Sequence, residues 1–91
     1  MHVTLEDAKK YLRVDSSDDN ALIESLIATA VILVKEVSRL SNKELEGYCE
    51  MVHTAELYAI AYLYEHREDA DHKALTETMK YLLFPARKEV F

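Results

Sequence analysis

One glycine, Gly47, and one proline, Pro85, punctuate 91 residues. A chain with so few break signals has little means of turning every few residues, and its Ala, Leu, Glu and Lys favour helix over sheet. The expected fold is all-α: a small bundle of about four helices, two of them long and central, followed by a short C-terminal tail. Residues 1–91 are expected to form a single domain, near the low end of what folds alone, because so short a chain leaves much of its surface in water. Ordering each residue costs roughly 1–2 kcal/mol, so the hydrophobic 49% must be buried efficiently, and a contact between subunits is one place for some of it.

Local patterns place the helices. Thr4 precedes a first turn holding Glu6 and Asp7, where a hydroxyl acceptor and negative charge suit unpaired N–H groups. A short first helix follows, with Leu5, Ala8 and Leu12 on one side and Lys9, Lys10 and Arg13 toward solvent. After the polar break Asp15–Asn20, Ser17 is the expected cap of a second helix, with Asp18 and Asp19 in its first turn and an end near Leu40. Leu22, Ile23, Leu26, Ile27, Ala30, Val31, Leu33, Val34 and Val37 form its broad apolar face; Ile32 projects on the opposite side with Ala21, Ala28 and Arg39.

Ser41 and Glu44 have capping-box spacing and open a third helix, expected to run to about Arg67 with Gly47 as its weak point. Leu45, Tyr48, Val52, Ala55, Ala59, Tyr62 and Leu63 share its main apolar face, and Leu57, Ala61 and Tyr64 a smaller second stripe. A helix apolar on two sides is sandwiched, within a bundle or between subunits. Asp71 caps a last helix carrying Leu75, Met79, Leu82 and Leu83 as far as Pro85, where the fixed proline ring stops it.

Composition excludes several classes. The formal net charge of −6 disfavours gripping nucleic acid, which relies on Lys and Arg. The apolar run Leu26–Val34 falls far short of the roughly 20 residues that cross a bilayer, so no membrane association is expected. Cys49 has no partner for an internal disulfide, and with no leader pattern the chain is expected to be made in a reducing cytoplasm. No nucleophile stands in a motif with a base, and no glycine-rich loop cradles phosphate, so neither catalytic residues nor cofactors are expected.

Three constellations have a functional and a structural reading. Glu50 and His53 have the Glu-x-x-His spacing of helical metal ligands, but a second copy is missing and a solvated helix face explains them. The acidic run before the second helix lacks the glycine and the bidentate Glu of a calcium loop, so capping explains it better. His66, Asp69, Asp71 and His72 gather at a turn as flexible solvated groups, and Cys49 reads as a small core residue. Glu56 is the anomaly: it falls within the main apolar face of the third helix, where it is expected to pair with Arg67 or to reach the surface along its stem.

Three stretches, read in order, resemble the phage head-to-tail connector family, also described as adaptor, head-completion or possible DNA-packaging proteins. The first is Thr4-Leu5-Glu6-Asp7-Ala8-Lys9 through Tyr11-Leu12-Arg13-Val14-Asp15, followed by Asp18-Asp19-Asn20-Ala21-Leu22-Ile23 and Leu26-Ile27. The second ends in Tyr64-Glu65-His66-Arg67-Glu68, and the third is Leu82-Leu83-Phe84-Pro85-Ala86-Arg87. Together they cover about two thirds of the chain. Glu56 departs from the family's aliphatic, and Ser38 to Glu50 departs from the Gly- or Pro-containing loop usual in relatives.

The resemblance implies a homo-oligomeric ring, expected to be dodecameric, beneath the portal protein of a phage or prophage particle. DNA would leave through its channel, and the next head-completion or tail protein would bind below. An acidic wall that repels DNA suits such a channel. On this reading the subunit contacts are Ile32, Arg39, Tyr64 and Arg67, and Arg87 and Phe91 of the tail dock on the portal. Tyr64 and Arg67 also admit an internal role, as anchors of the third helix. The alternative, which composition alone does not exclude, is a small cytoplasmic regulatory or adaptor module that dimerises or binds a partner helix.

Overall fold

Capping chemistry sets most of the helix boundaries. The structure, a computed structural model, describes residues 3–84; the tail positions Arg87 and Phe91 lie outside them. Among the described residues there are five helices and no strand: α1 (Leu5–Leu12), α2 (Asn20–Ser38), α3 (Asn42–Glu46), α4 (Cys49–Glu65) and α5 (His72–Leu82). Thr4 and Ser41 close full capping boxes with Asp7 and Glu44, and the Asp71 carboxylate accepts from the Ala74 N–H at 3.0 Å. Each satisfies donors that the first helical turn leaves unpaired.

Two expectations fail at helix starts. α2 begins at Asn20, with Asp19 rather than Ser17 at the cap position, and no side chain caps it. The Asp19 carboxylate is used elsewhere, as described below. The expected third helix is two helices. At Gly47 and Tyr48 the N–H groups bond to Glu44 and Leu45, three residues back, which tightens the chain and breaks the register. The break buries Leu45 and swings Tyr48 out to 41% exposure, whereas one continuous helix would put both on the core face. Cys49, expected in the core, is the first residue of α4 and only half-buried.

α1 and α2 end on residues in the left-handed region, Arg13 (φ 60°) and Arg39 (φ 62°). Glycine is the usual choice there, because a Cβ crowds the following carbonyl. After Arg39 the buried Ser38 hydroxyl accepts the Leu40 N–H at 3.3 Å, and the chain reverses into α3.

α2 and α4 form the central pair, and α1 and α5 each pack against both. The overall extents, 44 × 28 × 16 Å, are about two helices thick. Ile23, Ala30, Val34 and Val37 of α2 meet Val52, Ala55, Ala59, Ile60 and Leu63 of α4, with Ala8, Leu75, Met79 and Leu83 closing the sides. Burying each large aliphatic side chain contributes about 1.5–3 kcal/mol. The second stripe of α4, Leu57, Ala61 and Tyr64, is half-buried, as a helix covered on two sides requires.

Candidate functional site

The surface carries four features that core packing does not use. The first is the outer face of α2. Ile32 is 57% exposed, and Ala21, Ala28 and Arg39 are exposed with it, as their angular positions predict.

The second is a network at the end of α4. Tyr64 donates its hydroxyl proton to Asp19 Oδ2 at 2.6 Å, and the Arg67 guanidinium lies over the Tyr64 ring, 4.9 Å from its centre. The bond to Asp19 is the main reason that the phenol is held above its ordinary pKa, because ionisation would set two negative groups against each other. Tyr64 thus ties the approach to α2 to the end of α4. The family resemblance set Tyr64 and Arg67 together, but Asp19 was missed, because its position before α2 reads as ordinary capping.

The third is an exposed aromatic pair, Tyr81 at 78% and Phe84 at 67%, where α5 ends and the chain continues toward Pro85. Sequence analysis singled out neither for contact. Their signal was visible: on a helix with Leu75 and Met79 inward, Tyr81 falls outside the apolar stripe.

The fourth is charge. Lys9, Lys10 and Arg13, with Leu5, Glu6, Val14 and Asp15, line a cleft of about 600 Å³ on α1. Glu65, Arg67, Glu68 and Asp69 line a second concavity of about 640 Å³.

Two further polar residues, Glu56 and Tyr62, hold elements of the fold together. Glu56 is fully buried, and its Oε1 accepts the Val3 N–H at 3.1 Å, which pins the start of the chain to α4. This corrects both expectations for it, since it neither reaches the surface nor pairs with Arg67, which sits on Tyr64 instead. Tyr62 was expected only as an apolar residue. Its hydroxyl accepts from the Asp71 N–H at 3.0 Å and donates to the Asp71 carbonyl at 3.4 Å, while its ring stacks on His66 at 4.3 Å. It therefore clamps the α4–α5 turn. Among the described residues no group of three or more His, Cys, Asp or Glu is placed to hold a metal ion. No helix there is long and apolar enough to cross a membrane.

The described surface thus offers exposed apolar side chains and separate charged patches on a helical scaffold. The family of phage gp6-like head-tail connector proteins matches residues 2–90, and the chain belongs to that family. Membership carries a structural role in the phage and bears out the resemblance read from the opening, the end of α4 and the close of α5. No curated protein and no solved structure matches the chain.

Proposed function

We propose that the chain is a single-domain ring subunit, dodecameric in the particle, that joins the portal of the phage head to the tail and lines the DNA exit channel. The observation that carries this reading is the family match across residues 2–90. The work is binding and sealing, with no catalytic step and no cofactor. Ile32 and Arg39 on α2, with Tyr64 and Arg67 at the end of α4, contact neighbouring copies. The tail, through Arg87 and Phe91, docks on the portal, and the exposed Tyr81 and Phe84 serve the same contact. The opposite side receives the next head-completion or tail protein. A net charge of −6 keeps DNA from adhering to the wall it passes. Assembly takes place in the bacterial cytoplasm before release of the virion.

A stop codon at Tyr11 in the parent phage or prophage tests this. Filled or leaking heads beside unattached tails, rescued by the protein in trans, are expected; normal infectious particles would overturn the reading. In the rescue assay, Arg67→Glu and deletion beyond Pro85 are each expected to block assembly with the helical circular-dichroism signal intact. Loss of that signal would refute the contact assignment for the residues removed.

A further inference from the structure

We infer that neighbouring copies meet head to tail, the basic end of α1 on one against the acidic α4–α5 turn of the next. The inference rests on the ring reading above and names the surfaces that make the contact.

Lys9, Lys10 and Arg13 outnumber Glu6 and Asp15 around the α1 cleft, which Leu5 and Val14 also line; at the turn Glu65, Glu68 and Asp69 outnumber Arg67. Among the described residues none of Lys9, Lys10, Arg13, Glu65, Glu68 and Asp69 has an ion-pair partner within the chain. Arg67, the cation nearest those acids in sequence, is turned onto the Tyr64 ring, which leaves the carboxylates facing outward.

The two patches lie on different elements, α1 and the α4–α5 turn, and among the described residues no ion pair joins them. One copy leaves both unpaired, and a second copy can satisfy each. A contact between two different patches is heterologous, and repeated with a closing rotation it generates a ring. The protein as a whole is acidic, so without such a local match its copies would repel one another.

The test uses two charge-reversed proteins, Lys9→Glu with Lys10→Glu and Glu65→Lys with Glu68→Lys, read by native mass spectrometry and light scattering. Wild type is expected to associate at about 0.1 M salt and to fall apart at about 1 M, where screening shortens from about 10 Å to about 3 Å. Each reversed protein alone should associate at least about tenfold more weakly. An equal mixture should regain wild-type association with the two proteins alternating, which an unfolded variant could not do. Wild type that stays monomeric at low salt, a reversed protein that associates normally, or a mixture that does not recover would each overturn the proposal. These outcomes are separate from the connector reading itself, which the stop-codon particles report.

Discussion

Ile23 and Ile32 are the same residue on the same helix, and at 3.6 residues per turn they project about 180° apart. Ile23 is fully buried between α2 and its neighbours, and Ile32 is 57% exposed. Truncating each to alanine therefore separates folding from contact. For Ile23→Ala the lost transfer energy and the cavity left behind cost about 2–5 kcal/mol. At roughly 0.05–0.15 kcal/mol per residue, a chain of this length has about 5–14 kcal/mol in all. A domain of this size loses about 4–8 °C in Tm per kcal/mol, so a drop of about 8–40 °C is expected in a circular-dichroism melt. Ile32→Ala should stay within about 0.5 kcal/mol of wild type in the monomer, yet weaken assembly and rescue of the stop-codon phage. Equal destabilisation by the two substitutions would refute the packing assigned to α2. A fully assembling Ile32→Ala would refute its outer face as a contact.

Glu56→Ala strands the buried Val3 N–H and leaves a cavity, and a loss of at least about 2 kcal/mol is expected in urea unfolding; a cost below about 0.5 kcal/mol would mean that the N-terminal segment is held by other contacts. Gly47 has φ −73°, and a Cβ there would meet only the Glu44 carbonyl at an ordinary 3.5 Å, so Gly47→Ala should stabilise by about 0.4–1 kcal/mol in the same assay. The Thr4 hydrogen bonds lower the Asp7 pKa, so its contribution to stability is complete above the ordinary value of 3.8 and is lost as pH falls through the lowered native value. Asp7→Asn should flatten that part of an acid titration followed by circular dichroism. Tyr64 has the opposite sign: its contribution is whole below 10.0, is lost as pH rises through the raised native value, and should disappear from an alkaline titration of Tyr64→Phe.

The helices and most of the core were legible because they depend on local rules. Thr4, Ser41 and Asp71 act within one turn of themselves, and the inward faces of α2 and α5 follow from angular spacing alone. What was not legible depends on partners distant in sequence. Glu56 stood out as a charge on an apolar face, but nothing local announces that its acceptor serves Val3, 53 residues away. Asp19 is drawn to Tyr64 across 45 residues, which removes it from the local capping pattern in which it was placed. Gly47 was visible as a weak point, yet periodicity continues through it, and only the demand to bury Leu45 while releasing Tyr48 turns the weakness into a break.

The candidate surface was legible in part. The exposure of Ile32 and Arg39 follows from helix angle, whereas Phe84 was read only as part of the closing motif and Tyr81 was not singled out. The patches on α1 and the α4–α5 turn are each ordinary solvated charge in sequence. They become a pair only once the structure shows each of them without an ion-pair partner on the same chain.

The central claim is that this chain stands between head and tail, and a cryo-electron microscopy reconstruction of the neck of the parent particle tests it most directly. The account predicts a ring of density directly beneath the portal, each repeat accommodating α1–α5 with α1 of one copy facing the α4–α5 turn of the next. A neck whose density is filled by other proteins, with no place for these five helices, would contradict it.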